Sequence, residues 1–261
     1  MMSLEGKRAL VAGSTQGIGK AVALKLAEMG ATVVLLARNE EKLKTVKEEL
    51  PTVGNQIHEY LVGDFTNPTE LKSKVDTFLQ TGKTIDILIN NTGGPKAGPI
   101  MDADISEFIA AFNQHLICNH ILVQALVPGM KHNGGGRIVN VISTSVKQPL
   151  PGLGVSNTIR GAVGNWSKTL ANELGPFNIT VNNVLPGATN TTRLQEIASN
   201  KSAKTGDTVD TIFDEMADES PMKRIAKPEE IAAAVAFLAS PEASYINGIN
   251  IPVDGGRTKS L

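Results

Sequence analysis

The chain has 261 residues, a length at which α/β sheets commonly fold as one domain, so we expect a single domain over residues 1–261. Its 25 Lys and Arg residues nearly balance 26 Asp and Glu residues, which gives no reason to expect a nucleic-acid or membrane partner. Cys118 is the only cysteine and no apolar stretch suits a signal peptide or membrane span, so we expect a cytoplasmic protein without disulfides or a metal site.

Short apolar runs alternate along the chain with longer segments of helical period. The predicted strands are Arg8–Ala12, Thr32–Ala37, Ile57–Val62, Ile85–Ile89, Arg137–Ile142, Thr180–Val184 and Ile249–Val253. The predicted helices are Ile18–Met29, Glu40–Leu50, Thr69–Leu79, Ile105–Lys131, Leu153–Leu174 and Pro228–Leu238. Right-handed βαβ crossovers then place helices on both faces of a seven-stranded parallel sheet. The pattern predicts a doubly wound, Rossmann-type α/β domain.

A glycine-rich turn joins the first strand to the first helix. Its residues are Gly13, Ser14, Thr15, Gln16, Gly17, Ile18 and Gly19. Glycines let the backbone approach a pyrophosphate, and the N-terminus of the following helix offers free N–H groups and a positive dipole. The other interpretation is a tight structural turn, but a strand before and a helix after favour nucleotide binding.

The end of the second strand predicts the cofactor. An acidic residue there binds the free ribose 2′-hydroxyl of NAD, whereas an arginine pairs with the 2′-phosphate of NADP. The strand ends at Arg38 and Asn39 without an acid, so NADP(H) is favoured and NAD is the less favoured cofactor. The alternative is that Arg38 is a solvated surface side chain.

From the first strand to the C-terminus the chain resembles the classical short-chain dehydrogenase/reductase family. Five motifs carry the resemblance: Gly13, Gly17 and Gly19; Asp64; Asn90-Asn91-Thr92-Gly93; Pro186-Gly187 with Thr191; and Val253-Asp254-Gly255-Gly256. The resemblance implies that Asp64 and Phe65 contact the adenine and that Asn91, Thr92 and Gly93 line the cofactor cleft. It also implies that Pro186, Gly187, Thr189 and Thr191 reach the nicotinamide carboxamide.

The positions that are catalytic in this family are altered. Ser143 matches the family's serine, but Ser156 and Arg160 stand where the family has Tyr-x-x-x-Lys, and His115 stands where it has a helical asparagine. A subgroup of the family shares Ser-Asn-x-x-Arg at this place and Thr-Gly-Gly-Pro after the paired asparagines. The chain resembles that subgroup in Ser156 to Arg160 and in Thr92 to Pro95.

The replacements change the expected chemistry. A serine hydroxyl is a far weaker acid than the phenol of tyrosine, so Ser156 alone is a poor proton donor. Arg160 lies one helical turn further on and can hold a ribose or an anion, but its guanidinium does not release a proton at working pH. His115 and Lys147 are candidate acids, and each is alternatively a structural or solvated side chain.

The segment Gly187–Lys227 has no predicted strand and is helical in part, at Asp210–Ala217. It is predicted to be a substrate lid inserted over the sheet's edge, or else a surface excursion. The segments 93–100 and 150–155 are expected to line the substrate pocket. Their apolar, Gly-rich and Pro-rich sequence predicts no charged anchor for the substrate.

Three functions are consistent with this sequence. The first is an NADP(H)-dependent oxidoreductase acting on a small carbonyl or alcohol, with Ser143, and either His115 or a water, polarising the oxygen. The second is a catalytically weak or inactive NADP-binding protein that serves as a sensor or oligomer partner. The third is a non-redox reaction like that of the halohydrin dehalogenases, which give up the glycine-rich loop that this chain keeps.

The resemblance also implies a homo-oligomer, a tetramer, in which two long helices pair across a two-fold axis. The apolar residues available for such pairing are Ile109, Phe112, Leu116 and Val123 on one helix and Val163, Trp166 and Leu170 on the other. Some of them must face the sheet instead.

Overall fold

The computed structural model describes residues 2–260. The strands are β1 Arg8–Ala12, β2 Thr32–Ala37, β3 Glu59–Val62, β4 Ile87–Asn90, β5 Gly136–Val141, β6 Ile179–Pro186 and β7 Asn250–Val253. They form a seven-stranded, entirely parallel sheet in the order β3-β2-β1-β4-β5-β6-β7. The strand order reverses between β1 and β4, and ligands bind at such a crevice in open α/β sheets.

Helices cover both faces of the sheet, which confirms the predicted doubly wound domain. They are α1 Gly17–Glu28, α2 Glu40–Glu49, α3 Pro68–Leu79, α4 Ile105–Phe112, α5 Cys118–His132, α6 Gly154–Leu174, α7 Thr192–Thr205, α8 Val209–Asp218 and α9 Pro228–Ala239. One core cluster packs α1, α2 and α9 against one face, and the other packs α3, α5 and α6 against the opposite face. Within residues 2–260 no helix combines the length and the apolar character that a membrane span requires.

The central strands are apolar along their whole length because both of their faces are covered. Leu10 and Val11 are adjacent in β1, and both are completely buried. Leu10 belongs to the cluster with α3, α5 and α6, whereas Val11 belongs to the cluster with α1, α2 and α9. Each such side chain contributes about 1.5–3 kcal/mol when it is fully buried. A continuous apolar pattern of this kind is typical of a parallel sheet covered on both faces, whereas a half-exposed sheet shows alternating polar residues.

Several predicted strand and helix ends lie one or two residues from the observed ones, and two predicted elements differ for a reason that the structure shows. The strand expected from Ile57 begins at Glu59, because the His58 ring accepts a hydrogen bond from the Val33 backbone N–H (3.1 Å) and Ile57 is exposed. The helix expected at Ile105–Lys131 is interrupted by a π-helical turn at Asn113–Ile117, between α4 and α5.

The predicted insertion consists largely of two surface helices. The Thr191 and Thr208 side chains cap α7 and α8 by accepting hydrogen bonds from Leu194 N (3.3 Å) and Thr211 N (3.1 Å). Ala198 is the only buried residue of α7, so this helix lacks the broad apolar stripe that signals a core helix. For this reason the sequence predicted helix only at Asp210–Ala217, within α8.

Candidate active site

A cleft with a volume of about 680 Å³ lies at the carboxyl ends of the strands, across the β1–β4 crevice. Most predicted site residues line it, namely Gly13, Thr15, Gln16, Gly17, Ile18, Arg38, Asp64, Phe65, Asn91, Thr92, Gly93, Ser143, Ser156, Arg160, Pro186, Gly187, Thr189 and Thr191. Three predicted residues, Ser14, Gly19 and His115, lie outside the lining. The fold therefore gathers these distant motifs around one cavity.

The glycine-rich turn forms a bare backbone cradle at one side of the cleft. A Cβ atom on Gly19 would lie 2.1 Å from the carbonyl oxygen of Gly13, and one on Gly13 would lie 2.5 Å from the carbonyl oxygen of Asn91. The Asn91 side chain donates to the carbonyls of Ala12 and Gly13, both at 3.3 Å. Ser14 is completely buried, with its hydroxyl 3.5 Å from the Leu36 carbonyl. This packed turn and the N-terminus of α1 fit the pyrophosphate of a dinucleotide.

Cations mark one end of the cleft, beside β2. Arg38 is exposed there, and Lys42, in the first turn of α2, lines the same wall. The Asn39 side chain caps α2 by accepting a hydrogen bond from Lys42 N at 2.9 Å. Sequence reasoning missed Lys42, although Asn39 as a helix cap predicts that the residue three positions later lies in the first turn. The two positive charges suit a 2′-phosphate.

Ser143, Ser156 and Arg160 form another part of the cleft wall. Ser143 Oγ accepts a hydrogen bond from Ser145 N at 3.1 Å. Arg160 Nε donates to Ser156 Oγ at 3.2 Å, and its Nη1 donates to the carbonyl of Ile142. Burial, and secondarily the charge of Arg193, lowers the pKa of Arg160 to about 10, so the guanidinium remains charged at neutral pH.

His115 lies behind this wall, in the π-helical turn. Its Nδ1 is hydrogen-bonded to Thr92 Oγ1 at 2.6 Å, and its buried Nε2 has no partner among the described residues. Burial first, and the charge of Arg160 second, lowers the pKa of His115 to about 3. The imidazole is therefore neutral at pH 7. Lys147, the other candidate acid, does not line the cleft.

A row of asparagine side chains crosses the sheet beneath the cleft. Asn90 donates to Asn140 (2.8 Å), Asn140 to Asn183 (2.9 Å) and Asn183 to Asn250 (2.8 Å), from β4 through to β7. Asn140 also donates to Ser167 on α6 at 2.9 Å. Buried polar groups need such partners, and this row ties β5 to the helix that carries Ser156. Of these four asparagines, only Asn90 belongs to a motif that the sequence indicates.

The expectation of no charged anchor in the substrate pocket needs correction. Arg193, in the first turn of α7, lines the cleft, and its Nη2 donates to the carbonyl of Pro95 at 2.6 Å. Lys96, in the expected pocket segment, is exposed and pairs with Glu107 at 3.3 Å. Arg193 was missed because the helix beginning at Thr192 was not predicted. Thr191 as its N-terminal cap was the available signal.

Comparison with known proteins gives consistent matches along the whole chain. The family described as enoyl-(acyl carrier protein) reductase matches residues 12–258. The NADPH-dependent reductase BacG of Bacillus subtilis is 34% identical over 98% of this chain and 99% of its own. Glucose 1-dehydrogenase of Gluconobacter oxydans is 36% identical, covering 97% and 92% of the two chains. The structure of L-sorbose reductase from Gluconobacter frateurii, complexed with NADPH and L-sorbose, aligns with a TM-score of 0.91 at 33% identity, covering 100% and 99%.

Proposed function

The chain belongs to the short-chain dehydrogenase/reductase family, and from this premise we propose that it is an NADPH-dependent oxidoreductase that interconverts a small carbonyl compound and its alcohol. The observation that carries this proposal is the joining of a dinucleotide cradle and the Ser143–Ser156–Arg160 cluster in one cleft. The matches to NADPH-dependent reductases support the choice of cofactor and of reaction class.

The cleft lining has groups suited to each part of NADPH. The turn from Gly13 to Gly19 would hold the pyrophosphate, and Arg38 with Lys42 would hold the 2′-phosphate. We place Asp64 and Phe65 at the adenine. The residues placed at the nicotinamide ribose are Asn91, Thr92, Gly93 and Arg160, and those placed at the carboxamide are Pro186, Gly187, Thr189 and Thr191. When bound, NADPH supplies the hydride for the carbonyl carbon.

We assign Ser143 to the reacting oxygen. Its Oγ already accepts a hydrogen bond from Ser145 N, which leaves the hydroxyl hydrogen free to donate into the cleft. A donor aimed at the oxygen stabilises the negative charge that develops there during reduction. Ser156 is held by Arg160 and is a poor acid, so we assign proton delivery to a water in the cleft.

The segment 187–227 is proposed as the lid of this site. Arg193 supports this assignment, because its hydrogen bond to the carbonyl of Pro95 connects the start of α7 to the loop after β4. A lid at this position would exclude bulk water from the reaction.

The first test is Ser143→Ala. We expect turnover to fall by roughly 10² to 10³, the usual effect of losing one such donor, while NADPH affinity stays nearly unchanged. Turnover is measured as NADPH consumption over a panel of ketones, aldehydes and quinones, and affinity by NADPH fluorescence. Undiminished turnover in the variant would show that Ser143 does not polarise the substrate.

A second candidate is an NADP-binding protein without turnover. It is favoured because the side chains at the altered positions are poor proton donors. The hydroxyl of Ser156 is aliphatic, and His115 is neutral at pH 7. The double variant Ser156→Tyr, Arg160→Lys distinguishes the two, because it recreates the family's acid and its lysine partner. Activity that arises only in the double variant indicates a binder, whereas activity lost from an active wild type indicates that the native cluster is catalytic.

A further inference from the structure

Two arginines face one point in the lining of the cleft, at Gly94. A Cβ atom placed on Gly94 would lie 3.6 Å from Arg160 Nη2 and 3.7 Å from Arg193 Nε. Arg160 comes from α6, the helix that carries Ser156, and Arg193 comes from α7, in the proposed lid, so the site lies between these two elements. Because Gly94 has no side chain, a small ligand above it can contact both guanidinium groups.

Each arginine keeps a donor free at this point. Arg160 uses Nε for Ser156 and Nη1 for the Ile142 carbonyl, and Nη2 has no protein acceptor among residues 2–260. Arg193 uses Nη2 for the Pro95 carbonyl, and its Nε likewise has no acceptor in the described chain. These two free nitrogens, Arg160 Nη2 and Arg193 Nε, are the atoms nearest to the Cβ position of Gly94.

The charges of this pair are not balanced within the cleft. Arg160 forms no ion pair with the described residues, and Arg193 has only Glu196, 3.6 Å from its Nη1 and itself largely exposed. The positive charge of each guanidinium disfavours the charged form of the other, and the charge of Arg193 contributes to the lowered pKa of Arg160. Partly buried like charges of this kind are relieved by an anion that accepts hydrogen bonds from both.

We propose that Arg160 and Arg193 bind a carboxylate of the substrate, which makes the substrate a small oxo acid or the corresponding hydroxy acid. Two donor nitrogens on different side chains match the two oxygens of a carboxylate. Arg160 also contacts Ser156, so the carboxylate lies close to the reacting carbonyl. This inference rests on the proposed function: hydride adds to the carbonyl carbon, a proton adds to its oxygen, and the carboxylate is unchanged.

The cofactor's pyrophosphate is the competing anion. The glycine-rich turn and the N-terminus of α1 already provide a site for it. Arg160, in contrast, donates to Ser156 and to the carbonyl of Ile142, the residue before Ser143, which is assigned to the reacting oxygen. The nicotinamide ribose, at which Arg160 is also placed, is uncharged and cannot balance the two guanidinium groups. The free Nη2 of Arg160 and Nε of Arg193 are therefore assigned to the substrate.

The test is a binding measurement that does not depend on turnover. The protein saturated with NADP⁺ is titrated calorimetrically with oxalate, which has two carboxylates and no reducible ketone, and with acetamide as a neutral probe. We expect oxalate to bind and acetamide not to bind. Arg193→Gln should weaken oxalate about 10- to 100-fold, the usual loss for a charge-assisted hydrogen bond, and Arg193→Lys should weaken it less.

Lys96→Gln is the matched control, because it removes a cation from the same loop at a side chain that is exposed and paired with Glu107. Oxalate should bind this variant as it binds wild type. NADPH titrations of Arg193→Gln complete the test. A loss of NADPH affinity with oxalate binding unchanged would assign the pair to the pyrophosphate, and a failure of oxalate to bind the wild type would equally overturn the carboxylate site.

Activity assays separate this inference from the proposed function. The carboxylate site and the oxidoreductase are both supported if the protein consumes NADPH with 2-oxo acids and Arg193→Gln lowers this activity mainly through a higher KM. Consumption only with neutral ketones overturns the oxo-acid assignment and leaves the oxidoreductase standing. Arginine-dependent oxalate binding without turnover of any carbonyl supports the carboxylate site while contradicting the oxidoreductase.

Discussion

At the scale of single residues, His115 shows how burial changes a side chain's chemistry. Burial, with Arg160 as the second cause, lowers its pKa from 6.5 to about 3. Below pH 6.5, His115 therefore takes up a proton in the unfolded chain but stays neutral in the folded protein down to about pH 3. The free energy of unfolding therefore keeps its full value above pH 6.5. It falls by about 1.4 kcal/mol per pH unit as the pH drops from 6.5 towards 3.

We therefore predict that His115→Asn reduces the acid sensitivity of folding. Between pH 7 and pH 5 the free energy of unfolding should fall by about 2 kcal/mol less in the variant than in wild type. Urea denaturation at the two pH values measures this difference. His132→Gln, at an exposed position at the end of α5, is the control and should follow wild type. Equal losses in His115→Asn and wild type would show that His115 is charged in the folded protein.

Arg38 is expected to determine the preference for NADPH over NADH. Arg38→Asp should weaken NADPH binding about 10- to 100-fold, because it replaces a charge-assisted hydrogen bond to the 2′-phosphate with repulsion. NADH affinity should rise or stay constant, since an acid can bind a free 2′-hydroxyl. Fluorescence titration of both cofactors checks this. Equal affinity of the wild type for NADH and NADPH would show that Arg38 does not bind the 2′-phosphate.

At the scale of elements, the β1–α1 turn depends on close backbone packing. Gly19→Ala would place a Cβ atom 2.1 Å from the Gly13 carbonyl oxygen and 2.6 Å from Asn91 Nδ2. The turn must open to accept it, so we expect at least tenfold weaker NADPH binding and a lower Tm. Gly161→Ala on α6 is the matched control: nothing lies within 4 Å of its Cβ position, and alanine there should stabilise the helix by about 0.5–1 kcal/mol. A Gly19→Ala variant that binds NADPH normally would contradict this account of the cradle.

Elements were predictable where burial imposes a pattern. Strands β1 and β2 were predicted to the residue, because both faces of each are buried and both ends are marked by polar or turn residues. Helix α7 was missed because it buries only Ala198, and its stability depends on caps rather than on an apolar stripe. The π-helical turn at Asn113–Ile117 has no periodic signature that a sequence can show.

At the site, too, residues were predictable where a recognisable local pattern precedes them. The motifs after β1, β3, β4 and β6 were predictable as parts of one site because they follow predicted strands, and the carboxyl ends of parallel strands share one edge. The motif after β7, residues 253–256, does not line the cleft. Arg193 and Lys42 come from first turns of helices, whose direction into the cleft depends on tertiary packing. The depth of His115 behind Thr92 likewise follows from how α4 and α5 pack, which no local pattern specifies.

At the scale of the whole molecule, an apolar stripe on α4 has no partner within residues 2–260. Ile105, Ile109 and Phe112 are 78%, 57% and 40% exposed, at a spacing that puts them on one face of the helix. Val123, Val163 and Leu170, also considered for pairing, are instead buried within the subunit core. An exposed apolar stripe of this kind is typical of a protein–protein interface.

We predict that this stripe pairs with its copy across a two-fold axis in a homotetramer. In a two-fold interface the same patch meets itself, so one substitution introduces a charge twice at each contact. Ile109→Lys should therefore dissociate the assembly to smaller species, whereas Ile57→Lys, at a residue 77% exposed just before β3, should not. Light scattering coupled to gel filtration at micromolar concentration measures both variants and the wild type. A monomeric wild type, or an Ile109→Lys variant of unchanged mass, would show that the stripe is not the interface.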